Sequence, residues 1–239
     1  MDIDFTGRTE AFIRAVSQLS FSFTGVIYNP LDYARGMYYR YEDLALRDSC
    51  DVLFMGMNPG PDGMVQTGVP FGSRQMVRDY LGLEGPVGRP ETEHPRRPVT
   101  GFAGTRNEAS GTAFWSMIRS RYPDVRDFFS FATVQNFIPL CFITTGQRCV
   151  NVTPDKLPAK ERRALEDLSL DYIGYIARRC GARRAVGIGA YACSQLVRLG
   201  CFSKVVRIMH PSPINPASRH VWAGCGREVI SQLEEEGIF

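Results

Sequence analysis

The chain of 239 residues predicts an α/β fold: a three-layer α/β/α sandwich with a central parallel four-stranded sheet, forming a single domain over 1–239. Two observations predict it. Four short apolar runs recur, at 51–57 (DVLFMGM), 131–138 (FATVQNFI), 184–190 (RAVGIGA) and 204–210 (KVVRIMH). Runs of this length with little polar alternation belong to strands buried on both faces. Helical patterns lie between and around them, and such alternation implies parallel strands joined by right-handed crossovers, with helices on both faces.

The elements follow in order. A helical pattern over 8–23 opens the chain. After the first strand come helices over 73–81 and 107–122, separated by the Pro- and Gly-rich stretch 82–104. No fresh core begins after that stretch, so it is a long loop inside the domain. The longest helix, 158–180, follows the second strand. A helix over 191–199 joins the third strand to the fourth, and a helix over 223–236 closes the chain. Gly187-Ile188-Gly189-Ala190-Tyr191-Ala192 looks like a dinucleotide fingerprint after a strand. No acidic residue follows within about 20 positions to hold a ribose, so these glycines are expected to allow close helix–strand packing.

Composition excludes several classes. Hydrophobic residues at 44% and charged residues at 22% argue against a disordered or fibrous chain. No apolar run approaches the roughly 18 residues of a membrane-spanning helix. The start MDIDFTGRTE lacks the basic and apolar segments of a secretory signal. The expectation is a soluble intracellular monomer, cytoplasmic or on the nucleoid in a bacterium and nuclear in a eukaryote. Seven cysteines form no C-x-x-C pair and read as reduced, mostly buried thiols. With three histidines besides, neither a metal nor another cofactor is expected. The net charge of +3 hides an asymmetry: residues 172–227 contain nine Arg and Lys and no acid, leaving −6 for the remainder. Arg dominates Lys, which suits bidentate contacts to phosphate.

In such sheets the ligand sits beyond the carboxyl ends of the strands. Loops 58–73 (NPGPDGMVQTGVPFGS) and 210–219 (HPSPINPASR) follow the first and fourth strands, and Pro139-Leu140 follows the second. Asn58 is either a turn former in N-P-G-P or an amide fixed in a cleft to orient water. His210 is either a satisfied core residue or a pocket donor to an oxygen that gains charge. Asn136, embedded in a strand, is costly unless paired. Neighbouring backbone satisfies it, or it reads a ligand edge with one donor and one acceptor.

Together the two loops carry a family resemblance. Gly56-Met57-Asn58-Pro59-Gly60-Pro61 with 66–72 (QTGVPFG), and His210-Pro211-Ser212-Pro213 with Asn215-Pro216, resemble the two signature motifs of single-strand-selective monofunctional uracil-DNA glycosylases. Further similar stretches are 76–79 (MVRD), His94-Pro95 with Arg97-Pro98-Val99, Asn136 with Pro139-Leu140, and Leu157-Pro158-Ala159-Lys160. The resemblance runs from about residue 20 to the carboxyl terminus. It implies a parallel four-stranded sheet between helices, in agreement with the strands read above.

The resemblance also implies an enzyme without lyase activity that swings a damaged nucleotide out of single- or double-stranded DNA and hydrolyses its glycosidic bond. Asn58 and His210 would be catalytic, the first positioning water and the second donating to the base O2. Phe71 would stack on the base, Asn136 would pair with the uracil edge, and Met57 and Gly60 would complete the pocket. Gly60 stands where stricter relatives carry a tyrosine, which leaves room for 5-hydroxymethyluracil, and deaminated purines (xanthine, hypoxanthine) enter the expected range. Ser73, Ser212, Pro213, Ile214, Asn215 and Arg219 are candidates for DNA contact, the two serines being equally plausible as turn or cap residues. Asp62 is either a turn residue or part of the pocket. The alternative to an enzyme is an inactive module that binds lesions or abasic sites.

Overall fold

The computed structural model describes residues 3–47, 49–213 and 215–239. Helix α1 (Ile3–Ser17), strand β1 (Gly25–Tyr28) and helices α2 (Pro30–Tyr33) and α3 (Arg35–Ala45) come first. Strand β2 (Val52–Gly56) leads into the short helices α4 (Met64–Thr67) and α5 (Arg74–Asp79), then α6 (Ala109–Arg121) and α7 (Val125–Phe129). Next come β3 (Ala132–Asn136), β4 (Cys141–Thr144), β5 (Asn151–Val152) and the long helix α8 (Ala159–Cys180). Strand β6 (Arg184–Ile188), helix α9 (Ala190–Leu199), strand β7 (Lys204–Ile208) and helices α10 (Pro216–Val221) and α11 (Ala223–Glu235) complete the order.

The expected parallel sheet is present, in the order β3-β2-β6-β7. Strand β2 is buried throughout, and its alternate residues feed two cores. Val52 and Phe54 join Phe114, Trp115, Phe128 and Leu233 on one side. Leu53 and Met55 join Phe12, Leu165, Ile176 and Leu196 on the other. That period of two, with an apolar residue on each face, is why the strand reads as a continuous hydrophobic run. Strand β2 connects to β3 on one side and β6 to β7 on the other, so the loops leaving their carboxyl ends part between them. A crevice at that place is the usual seat of a ligand.

A second sheet, β1-β4-β5, is antiparallel and was not expected. Its strands are only four, four and two residues long, too short to show a period. The first helix also ends earlier than its pattern suggested. Residues 18–24 lie outside any helix, and Phe21 and Phe23 both set their rings edge-on to Phe142 of β4. A two-residue spacing presents both rings to one partner only in extended chain. Helix α3 buries Met37, Tyr38, Tyr41 and Ala45, a helical spacing obscured in sequence by the charges between them.

All seven cysteines are free, and four of them are buried. No helix among the described residues is long and apolar enough to cross a membrane. The glycine expectation at the third strand is met at Gly187, where a Cβ would run into the backbone of Cys193 in α9.

Candidate active site

A cavity of about 710 Å³ opens at the carboxyl ends of the large sheet, lined by Met57, Asn58, Gly60, Phe71, Asn136, His210, Ser212 and Pro213. These residues come from the ends of three strands and the loops beyond them. The catalytic and base-binding candidates therefore share one space. Asp62, Arg97, Glu108, Asn151 and Thr153 also line it.

Asn58 follows β2, and its Nδ2 donates to the carbonyls of Leu140 (3.2 Å) and Pro59 (3.4 Å). Both bonds use the amide nitrogen, so the orientation is fixed and Oδ1 is left as an acceptor. A fixed acceptor can hold one hydrogen of a water molecule but cannot remove it. The side chain is thus held within the N-P-G-P segment and fixed at the cavity wall.

Phe71 adopts a left-handed backbone, φ 53, a conformation that costs a bulky residue about 1–3 kcal/mol unless its surroundings enforce it. They do. The Ser73 amide donates to the Phe71 carbonyl at 2.8 Å, and the ring packs on Phe114 with centroids 4.9 Å apart. Its other neighbour is His210, 6.4 Å away between centroids. A side chain on Gly56 would collide with the Phe71 ring at 2.6 Å and with Asn136 Oδ1 at 2.8 Å. The glycine at the end of β2 lets ring and amide approach each other.

Asn136 ends β3 opposite Gly56. Its Nδ2 donates to Met64 Sδ at 3.2 Å, a weak acceptor that a ligand carbonyl readily replaces. His210 stands beyond β7, and its carbonyl accepts from Ser212 N and Ser218 Oγ, both at 2.8 Å. Burial lowers the His210 pKa below the ordinary histidine value, which keeps the imidazole neutral at pH 7. A neutral ring can donate one hydrogen bond without carrying a charge into the pocket.

The loop around the site is braced. Gln66 Nε2 donates to the carbonyls of Pro61 (3.1 Å) and Pro98 (3.2 Å), and its Oε1 accepts from Thr100 N at 2.9 Å. Asp62 faces the cavity and accepts from Arg97 at 2.8 Å. Both of its sequence readings hold: residues 61–63 form a turn, and Asp62 within it lines the cavity.

Several DNA-contact expectations fare differently. Ser73 is fully buried, its Oγ accepting from Thr112 (2.8 Å) and donating to Asn107 (3.4 Å). A phosphate cannot reach it without opening the core, so that expectation is corrected to a structural role. Asn215 is exposed and caps α10 through Ala217 N at 3.0 Å. Arg219 is exposed on α10. Ile214 lies outside the described residues. The basic segment is also less free than its charge suggests. Arg183 and Arg184 pair with Asp51, Arg198 with Glu166 and Asp167, and Lys204 with Glu236. Arg184 and Lys204 begin their strands, at the end of the sheet away from the cavity.

The space beside Gly60 is bounded by a residue the sequence did not point to. Gly60 lines the cavity, and a Cβ on it would overlap the Glu108 carboxyl. Glu108 precedes α6 and reads in sequence as an ordinary helix-start residue. Only its convergence with glycines from another segment marks it. Burial, reinforced by the Asp62 charge, pushes its pKa up to about 7.

No protein-family model matches the chain. It is 40% identical over 223 residues to the single-strand selective monofunctional uracil DNA glycosylase of Mus musculus, covering 91% of this chain and 79% of the mouse protein. It is 39% identical over 222 residues to the protein of that name from Bos taurus, covering 90% and 80%. The crystal structure of SMUG2 from Pedobacter heparinus superposes with a TM-score of 0.66, covering 96% of this chain and 98% of that one at 16% identity. At that identity the likeness speaks for the fold.

Proposed function

The chain belongs to the single-strand selective monofunctional uracil-DNA glycosylases, and from that premise we propose that it hydrolyses the N-glycosyl bond of uracil in single-stranded DNA. The observation that carries this reading is the meeting of Asn58, Phe71, Asn136 and His210 around one cavity. The reacting nucleotide is swung out of its strand so that its base enters the cavity. Phe71 stacks on the pyrimidine, an interaction worth roughly 1–3 kcal/mol. Asn136 pairs with N3–H and O4. Cytosine offers the reverse donor and acceptor order, so an amide held in one orientation disfavours it.

As the bond lengthens, the base becomes an anion and the sugar becomes cation-like. His210 donates to O2, where the charge gathers. Asn58 Oδ1 holds a water near C1′, and the water attacks the sugar cation as the base departs. Bond cleavage runs ahead of attack, because Asn58 orients the water without deprotonating it. DNA phosphates add electrostatic support to the cation. No lysine is among the described residues lining the cavity, so no amine is in place to form a Schiff base and cut the strand.

The finer reading extends the range to duplex DNA, 5-hydroxymethyluracil and the deaminated purines xanthine and hypoxanthine, with the chain acting as one domain and as a monomer. The size of the cavity supports larger bases. Matched single- and double-stranded oligonucleotides carrying each base test it, with alkali-labile sites as the readout. Cleavage at uracil is the expected result. Binding to the lesion without any release would instead favour a recognition module.

A further inference from the structure

We propose that Glu108 is a specificity-determining residue, taking the hydrogen bond of a polar substituent at C5 of the extruded pyrimidine and disfavouring a bare methyl group there. The proposal rests on the reading of the cavity as a uracil pocket.

Glu108 sits at the N-cap of α6, yet its side chain makes no cap hydrogen bond. The carboxyl turns into the cavity instead. A Cβ on Gly60 or Gly63 would overlap it, and a Cβ on Gly111 would lie 2.9 Å from Oε2. Three glycines, two before α4 and one in α6, thus surround the carboxyl, which has no hydrogen-bond partner among the described residues. It is an acceptor aimed at whatever fills the space.

The walls around the ring leave one edge for it. His210 and Asn58 serve O2 and the glycosidic side, Asn136 serves N3 and O4, and Phe71 covers a face. The edge that remains is C5–C6. A hydroxymethyl group there donates its O–H to the carboxylate, or accepts from the protonated acid. A methyl group does neither and strips water from the carboxyl. Leaving a carboxyl unsatisfied once the bound base has shut it off from water corresponds to roughly tenfold or more in affinity. The charge acting on Glu108 is that of Asp62, itself held by Arg97; Glu108 in turn acts on the Cys141 thiol, and His210 lines the same cavity.

The test compares release of uracil, 5-hydroxymethyluracil and thymine from single-stranded oligonucleotides of one sequence, using the full chain, Glu108→Ala, Glu108→Gln and Glu108→Asp. The kcat/KM ratio of 5-hydroxymethyluracil to uracil should fall about tenfold or more in Glu108→Ala, while thymine gains relative to uracil. Glu108→Gln still donates and accepts and should keep most of the ratio. Glu108→Asp withdraws the carboxyl by one methylene and should lower the ratio less than alanine does, a readout that survives should the alanine variant not fold. An unchanged ratio in the alanine and aspartate variants overturns the proposal. So does an equal fall in the release of uracil and 5-hydroxymethyluracil, which would place Glu108 in bond breaking. Release of no base by the unaltered chain would overturn the glycosylase reading itself, and this proposal with it.

Discussion

Individual residues at this cavity are prepared for their proposed roles by what their other atoms are doing. Asn58 can hold a water because both of its amide hydrogens are occupied by carbonyls. His210 can donate without charge because burial keeps its ring neutral. Replacing His210 by Asn should slow single-turnover release of uracil by about 10²–10³-fold, the loss typical of one donor at a developing anion. DNA affinity, measured by fluorescence anisotropy, should change little. An unchanged rate would remove His210 from the bond-breaking step. Asn58, Asn136 and His210 stood out in sequence because strand ends and stiff loops say where to look, whereas Phe71 entered only through the resemblance of its loop to a known motif. Glu108 did neither, because its significance lies in glycines elsewhere in the chain. Ser73 misled for the opposite reason: a serine at a helix start looks the same in sequence whether it faces solvent or core.

Strands were legible where the apolar run is long enough to stand out, even at the sheet edge, where β7 exposes Arg207. The four strands of the large sheet announce themselves as apolar runs, whereas β1, β4 and β5 are too short to carry a pattern. Contact between elements makes its own demands. Gly187→Ala should push α9 off β6, since the added carbon meets the Cys193 backbone. Overpacking of this kind costs about 1–3 kcal/mol, to be read as a lower urea midpoint. Between α3 and β3, Gln135 donates to Glu42 at 2.7 Å, and Tyr38 lies beside it. Burial pushes the Glu42 pKa up to about 8. The folded chain therefore keeps this proton while the unfolded chain loses it, and stability from this group declines as pH rises from the ordinary carboxylate range through 8. Glu42→Gln should raise the thermal midpoint at pH 8.5 and bring little gain at pH 4.5. A gain independent of pH would show that Glu42 is not held protonated.

Across the whole molecule, charge is arranged by position along the strands. Arg184 and Lys204 are paired at the amino ends, whereas the cavity lies at the carboxyl ends with Arg219 exposed on α10 nearby in the chain. The excess of +9 visible in sequence is thus a poor guide to the DNA-binding face, because ion pairing depends on acids from distant segments. Arg219→Ala should weaken binding to single-stranded DNA and lower the salt dependence by about one unit of slope. Lys204→Ala should leave both within error, and equal losses in the two variants would contradict this division of the surface.

The central claim is that four side chains converge on one flipped base, and a crystal structure of the chain with uracil and abasic-site DNA tests it most directly. The base should lie on Phe71 with N3 and O4 against Asn136, O2 toward His210 and C5 toward Glu108. Uracil bound anywhere else, or seated with its O2 away from His210, would contradict the account.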